Sequence, residues 1–431
     1  MTVIELPIFS TVLNEIKSKY DLDSFDDIHY YLIGTDQNDK LHNMQDTVYL
    51  AQIFRLYLEK LEVSSGNITI DTIKSNPAIV DETFKYFENF LKHFRAIPKF
   101  SKLFVILGPG TPAMNMAMIN VFSTLNSAVF FHTNEEAGKT VLKRLDFNKI
   151  LRAKTIKSNV LSLIHVYDYP SAETLYSELP DRDTILETII KALSYRVNFE
   201  FDKAVDCLNN CTCNSTILED LSHHLLKLKN KKQEYVMKEL YYEFSIRIKS
   251  KRYLEAIGMT FRLEEQILQY VVEKILGIEI SSKDNFESFK NKVNSIPKLK
   301  DFLANEGTRY DEPNRRSYRD IIRFFAGNID KMPSRIDFSL EEVLDFADKI
   351  DPRSPSSEKT LPQLRNHTPF GHGFEGVSEE KIREIYPDGP DVLVYLFQTV
   401  LKKLNITVES PGDKDFPFNK INAYIEGKLN K

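Results

Sequence analysis

Arg365-Asn366-His367-Thr368-Pro369-Phe370-Gly371-His372 sets an arginine beside an asparagine, with a histidine six residues beyond the asparagine. Arginine is a permanent cation whose fork of donors matches a phosphate. Histidine gives or takes a proton near neutral pH. Together they can cleave a phosphodiester without a metal, one group stabilising charge on the phosphate while the other moves a proton. Pro369 and Gly371 lie between them, so the spacing predicts a bend rather than an uninterrupted helix. A capped loop carrying an incidental histidine accounts for the same eight residues, so their setting has to decide.

Three other groups bear on chemistry. Gly108-Pro109-Gly110-Thr111-Pro112 follows an apolar strand and precedes a helix, so its amides and the Thr111 hydroxyl can face an anion at a helix N-terminus. No Lys-Ser/Thr follows these glycines and they do not form GxGxxG, which excludes a Walker A loop and a dinucleotide fingerprint. The equally economical reading is a tight turn with Thr111 as N-cap. Cys207, Cys211 and Cys213, with His223 and His224 beyond them, suggest zinc by residue type, but C-x3-C-x-C is not a common zinc spacing, and incidental thiols account for it better. Arg315, Arg319 and Arg323 fall at i, i+4 and i+8, with Arg316 alongside. They form either a stripe that holds a single strand of RNA or, more economically, a helix face paired with Asp320 and nearby acids.

The elements that position these residues divide the chain in two. Up to about residue 175, strand-like runs at His29–Ile33, Asn67–Ile73, Leu103–Leu107, Ser127–His132 and Leu163–Tyr167 alternate with helices at Thr47–Leu61, Asp81–Phe94 and Ala113–Leu125. Short apolar strands between helices predict an α/β domain with a mostly parallel sheet covered on both faces. Ligands bind such sheets in the loops at the carboxyl ends of the strands, here Gly34–Gln37 and Gly108–Thr111. Beyond residue 180 the pattern is helical throughout: Thr184–Asn209, Ser215–Lys231, Lys232–Lys249, Tyr253–Leu276 and Asn285–Val293, then Ser317–Ala326, Leu340–Lys349, Ser378–Tyr386 and Asp391–Leu404. Phe261, Leu263, Ile267, Leu268, Val271, Val272 and Ile275 form the packing stripe of the fourth helix, within which Arg262 and Glu264 read as structural. Asp351–Pro362 is a polar, proline-rich loop just ahead of Arg365.

With 431 residues, 42% hydrophobic and 28% charged, the chain is long enough for two or three globular domains. A net charge of −5 argues against coating nucleic acid through a strong overall field. The apolar stretch Leu103–Phe131 is broken by Gly108–Pro112 and by Asn115, Asn120 and Asn126, which suits strand, loop and helix rather than a membrane span. The start shows no basic segment followed by an apolar core, and three cysteines are too few for a disulfide framework. These features predict a soluble cytoplasmic protein.

In this order the pieces resemble a CRISPR-associated CARF–HEPN ribonuclease, the accessory effector of type III systems. Leu32-Ile33-Gly34-Thr35-Asp36-Gln37 and Gly108-Pro109-Gly110-Thr111-Pro112-Ala113-Met114 resemble the ligand loops of a CARF sensor. Tyr253-Leu254-Glu255-Ala256-Ile257, followed by Arg262-Leu263-Glu264, is similar to helices of such effectors. Arg365-Asn366 and His372 match the HEPN motif of arginine, polar residue and spaced histidine. The resemblance implies a sensor over 1–175, a helical region over 176–300 and a HEPN ribonuclease region over 301–431. It implies Arg365, Asn366 and His372 as catalytic, with cyclic oligoadenylate, tetra- or hexa-adenylate, as the activator. The activator would meet Thr35, Asp36, Gly108, Gly110, Thr111 and Pro112, and Ser10 and Thr11 near the start. The stretch Val3–Thr11, which in these sensors is a strand followed by a Gly- or Ser-rich loop, has no glycine here, which counts against cleavage of the activator by the sensor. The resemblance further implies a homodimer, single-stranded RNA as substrate, and no metal or cofactor. Two other readings remain. A non-catalytic ligand-sensing regulator lacks support because no helix-turn-helix with a basic recognition helix is visible, which also argues against stable DNA binding. A nucleotide-dependent enzyme built on Gly108–Thr111 lacks its lysine.

Overall fold

The computed structural model describes residues 7–37, 46–94, 102–108, 110–125, 127–136, 139–209, 216–280, 285–352 and 359–430. The chain forms two compact units, Met1–Thr155 and Ile156–Lys431. In the first, helix α1 (Pro7–Lys19) precedes β1 (Tyr30–Thr35), α2 (Val48–Lys60), β2 (Ile68–Ile73), α3 (Val80–Phe94), β3 (Leu103–Leu107), α4 (Pro112–Phe122), β4 (Ala128–Glu136) and β5 (Lys139–Leu145). Strands β1 and β2 pair in parallel, with Thr35 opposite Ile73; β3 and β4 also pair in parallel, with Leu107 opposite His132. The last strand, β5, runs antiparallel to β4, an addition to the predicted parallel arrangement.

Both faces are covered, as the apolar strands predict. Val12 and Ile16 of α1 pack with Phe104, Ile106, Val129 and Phe131. On the same side Leu13 of α1 and Leu58 of α2 pack with Tyr30, Leu32 and Ile68. Ile73, Val105, Leu107 and Phe130 instead meet Phe87 and Leu91 of α3 and Met114, Ala117 and Val121 of α4. Neighbours such as Val105 and Ile106, or Phe130 and Phe131, therefore enter opposite layers, the two-residue alternation of a strand with two buried faces.

Three expectations need correction. Leu163–Tyr167 is not a strand: Leu163, Ile164 and His165 end helix α5 (Phe147–His165). Ile156, Val160 and Ile164 are buried at four-residue spacing, so helical periodicity outweighs the β-like composition of the run. The described part of Val3–Thr11 is likewise not a strand and loop, since residues 7–11 lie in α1. The helix expected over Thr184–Asn209 is two helices, α7 (Thr184–Val197) and α8 (Phe201–Asn209), separated where Phe199 takes a left-handed backbone with φ 60°.

The second unit is helical throughout its described residues. The division between the units falls within α5, which is followed by α6 (Tyr169–Tyr176), α7 and α8, then α9 (Thr216–Lys229), α10 (Gln233–Lys249) and α11 (Tyr253–Leu276). Next come α12 (Phe286–Asn294), α13 (Pro297–Asn305), α14 (Arg315–Ala326), α15 (Leu340–Ile350), α16 (Leu361–Asn366), α17 (Glu379–Arg383), α18 (Asp391–Lys403) and α19 (Pro417–Leu429). Helices α10 and α11 are buried along most of their length. A helix buried all round must pair whatever charge it carries. Arg196 of α7 donates from Nε and Nη2 to the two carboxylate oxygens of Glu239 at 2.6 and 2.7 Å, and its guanidinium lies 4.0 Å from the Phe418 ring centroid. His224 Nε2 lies 2.9 Å from Glu239 Oε2. Burial pushes the Glu239 carboxyl up, but Arg196 and His224 outweigh it and hold it at about 2.

Glu243, one turn further along α10, is fully buried. Arg247 Nη1 approaches its Oε2 to 2.7 Å, yet neither carboxylate oxygen receives a well-directed hydrogen bond among the described residues. Burial pushes this carboxyl up to about 7; Arg247 and Arg196 oppose the rise, and the neighbouring Glu239 adds to it. The folded protein therefore holds the proton more tightly than the unfolded chain. That stability is fully present below the ordinary glutamate range and is lost as pH rises through 7. Replacing Glu243 with Gln should remove this contribution, on the order of 3 kcal/mol. Denaturant titrations at pH 5.5 and 8 should show a smaller loss of stability with pH for the variant than for the wild type; identical pH dependences would refute the assignment.

Candidate active site and ligand loops

The Arg365–His372 segment starts on a well-capped helix. Thr360 caps α16, its hydroxyl accepting from the Gln363 amide while the Gln363 side chain accepts from the Thr360 amide. Pro362 suits the first turn, and the helix stops at Asn366, as Pro369 and Gly371 predict. The chain then folds back on itself. Thr368, wholly buried, donates from its hydroxyl to the Arg365 carbonyl at 2.6 Å and accepts from the Phe370 amide at 3.2 Å. The His372 amide donates to the Asn366 carbonyl at 2.9 Å, and the Glu375 amide to the His367 carbonyl at 2.8 Å.

Two glycines make this return possible. A Cβ at Gly371 would lie 2.4 Å from the Asn366 Cα, and one at Gly373 would lie 2.1 Å from the His367 carbonyl oxygen. Both obstacles are backbone, which no side-chain rotation relieves. Gly371-His372-Gly373 thus pins the histidine backbone against the end of α16, with Arg365 half-buried and Asn366 and His372 exposed. His367, which falls off the motif, lies beside Glu375 at 3.8 Å.

Arg365 is oriented from below. Its guanidinium sits 4.5 Å from the centroid of Phe261 on α11, and its Nη2 donates to Asn366 Oδ1 at 3.1 Å. Arg315 of α14 lies over the same ring at 4.8 Å. Arg315 Nη1 donates to Glu264 Oε2 at 3.0 Å and Nη2 to Asp351 Oδ2 at 2.6 Å. Burial, then the charge of Arg315, lower the pKa of Arg365, with Asp351 and Glu264 opposing; the group remains a cation at any working pH. Glu264 is fully buried and its Oε1 has no hydrogen-bond partner among the described residues. Burial pushes its carboxyl up to about 7 against the pull of Arg315 and Arg319.

The arginines of α14 are consequently a paired face rather than an RNA stripe. Arg319 is 5% exposed, donates from Nη1 to the Asp351 carbonyl at 2.7 Å and pairs with Asp348 through Nη2. Arg323 pairs with Asp320 at 3.2 Å, and Arg316 donates to the Glu306 carbonyl. Phe261 belongs to the packing stripe of α11, and its second use as a platform for two cations leaves no mark in the sequence. The signal available for the loop was the glycine pair flanking His372.

In the first unit the expected ligand residues lie at the carboxyl ends of the strands and in α1. Thr35, buried, and Thr47 are tied together: their hydroxyls lie 3.2 Å apart, and each accepts from the other's amide. The Asp36 amide donates to the Ile73 carbonyl at 3.0 Å, and Lys74 lies 3.8 Å from its carboxylate. Thr111 caps α4 by accepting from the Met114 amide, and it donates to the Pro77 carbonyl, joining the loop after β3 to the loop after β2. Gly108 has a left-handed backbone, φ 131°, beside Thr133 and His132 of β4, and Gly110 accepts from Asn115 Nδ2 at 3.3 Å. Pro112 is the first residue of α4. Thr35, Asp36, Gly108, Gly110, Thr111 and Pro112 thus share the loop end of the strands, whereas Ser10 and Thr11 belong to α1. Cys207 lies on α8 and is partly buried; Cys211, Cys213 and Pro109 fall outside the described residues.

Replacing Gly371 or Gly373 with Ala should displace the return loop. The expected cost is about 1–3 kcal/mol, read by chemical denaturation, with loss of protection of the His372 amide in hydrogen exchange. Unchanged stability and unchanged exchange would contradict the close approach of these glycines to the α16 backbone.

No protein-family model matches the chain, and no curated protein matches it. Among solved structures it is similar to Enterococcus italicus Csm6 bound to cyclic hexa-2′-fluoro-hexa-dAMP, with a TM-score of 0.55 over 97% of this chain and 95% of that chain, at 14% identity. Among the described residues no helix is long and apolar enough to cross a membrane. The similarity spans both units, and the chain shares the fold of that protein, an α/β unit followed by a helical one.

Proposed function

We propose that the chain is a metal-independent endoribonuclease that cuts single-stranded RNA when cyclic oligoadenylate binds its α/β unit, acting in type III CRISPR antiviral defence. The observation that carries this reading is the return loop. The bond from the His372 amide to the Asn366 carbonyl brings histidine, asparagine and arginine to one end of α16, in a chain with the fold of a protein solved with a cyclic adenylate analogue.

The substrate's own 2′-hydroxyl is the nucleophile, so the protein has to stabilise charge and move one proton. The oxygen gives up its proton to water as it attacks the adjacent phosphorus, closing a 2′,3′-cyclic phosphate and breaking the bond to the 5′-oxygen. Arg365 binds the phosphate and meets the charge that builds on its oxygens. His372 donates a proton to the departing 5′-oxygen. Asn366 orients Arg365 through its side-chain oxygen and offers its amide to the RNA. One chain supplies a single arginine and histidine; a homodimer with both copies facing one cleft doubles them.

On the sensor side the loop amides and the Thr111 end of α4 favour an anion such as a phosphodiester. The Thr111 hydroxyl hydrogen is committed to Pro77, which leaves ligand contact to neighbouring backbone amides and to the hydroxyl as an acceptor. Activation requires that the ligand bind one state of the protein more tightly than another.

The purified protein should cut single-stranded RNA in EDTA, faster with cyclic tetra- or hexa-adenylate, assayed in parallel. Arg365→Ala and His372→Ala should each lower the rate by roughly 10²-fold or more, with cyclic oligoadenylate binding retained by calorimetry. Wild-type cutting by the double variant would sink the assignment.

A further inference from the structure

Arg365 can stabilise a phosphate only if its guanidinium is held at one angle, yet α16 ends one residue later and the loop beyond is largely exposed. What holds it lies on α11 and α14. We propose that Phe261 and Arg315 are positioning residues for Arg365: the Phe261 ring fixes the plane of the Arg365 guanidinium, and Arg315, clamped by Glu264 and Asp351, fixes the ring. This inference rests on the ribonuclease reading for its catalytic consequence, though not for its geometry.

The two arginines differ in what their donors do. Arg315 spends one arm on Glu264 and the other on Asp351, and both carboxylates offset its charge. Arg365 spends only Nη2, on Asn366. Its Nε is buried without a partner, a position held by the aromatic face rather than by hydrogen bonds, and its Nη1 meets no acceptor among the described residues. Arg365 is thus the arginine with donors left for a phosphate, and Arg315 the one fixed in the protein. Cations sit favourably over an aromatic face, but two over one ring repel each other. Glu264 and Asp351 make the pair tolerable, and their hold on two arms of Arg315 resists its rotation away from the ring.

The test uses the full chain with ¹⁵N-labelled arginine and reads two quantities. The first is the Arg365 Nε–Hε resonance, assigned by its loss in Arg365→Ala. Ring current should shift it in the wild type and in Phe261→Tyr, and the shift should vanish in Phe261→Leu. The second is single-stranded RNA cleavage. Phe261→Leu should lower kcat by about 10- to 100-fold with little change in KM, because orientation matters in the transition state rather than in binding, and Phe261→Tyr should restore it. Arg315→Lys keeps the charge and loses the two-armed hold; it should lower kcat in the same direction and covers the case in which Phe261→Leu does not fold. A shift that survives in Phe261→Leu, or a wild-type kcat in folded Phe261→Leu or Arg315→Lys, overturns the proposal. If the shift behaves as expected but the wild type cuts no RNA, the positioning stands and the ribonuclease reading falls.

Discussion

Two guanidinium groups share the ring of Phe261, and the second unit is arranged around making that tolerable. Like charges beside one ring repel, and removing each from water adds to the cost. Here the cost is offset on one side only. Glu264 from α11 and Asp351 at the end of α15 neutralise Arg315, and Arg319 and Asp348 extend the alternation of charge. Arg365, which gives only Nη2 to Asn366, is left as the cation with donors to spare. Removing Asp351 would leave two cations beside one partly neutral carboxyl, so the pairs around α14 act as a group rather than as separate salt bridges.

The buried cluster at Arg196, Glu239 and His224 obeys the same physics with a different outcome. Its arginine is met at Nε and Nη2 by one carboxylate, His224 Nε2 lies on the second carboxylate oxygen, and Phe418 covers the guanidinium. Arg196 and Glu239 are buried, and the cluster joins α7, α9 and α10. Glu243 and Glu264 are the exceptions, buried acids with oxygens that find no well-directed hydrogen bond among the described residues and carboxyls pushed up to about 7. They sit on α10 and α11, where burial among apolar neighbours outweighs the charge partners.

The parts of this fold legible in the sequence are those set by local pattern. Leu103–Leu107 is apolar at every position because it buries both faces, and the strand has those bounds in the structure. Thr111 reads equally as cap and as ligand contact, and it is a cap whose hydroxyl also closes a loop. The misreadings arise where local composition and long-range periodicity disagree. Leu163–Tyr167 looks like a strand over five residues and like a helix only when Ile156 and Val160 are counted with Ile164. For the site, residue types and order were readable, but the return of His372 onto Asn366 was not. It depends on backbone contacts between residues five and six apart, for which the two glycines are the only local trace. Phe261 was hidden for a different reason: it lies on a packing stripe, and a buried ring that also carries cations has no distinct signature.

The loops of the α/β unit and the return loop of α16 solve opposite problems. Thr35 with Thr47, and Thr111 with Pro77, close the strand ends by bonds among themselves, so a ligand arriving there has to use the amides that remain or replace bonds already made. Exchange of that kind yields a small net free energy per contact. A ligand that bridges several loops collects many such contacts at once, and only the difference between the states it bridges can be passed on as regulation. The α16 loop has no such slack. Its backbone is fixed by two close glycine approaches and a buried threonine, leaving side-chain orientation at Arg365 as the adjustable quantity. A control acting on this site at small energetic cost would therefore move the platform beneath the arginine rather than the loop that carries the histidine.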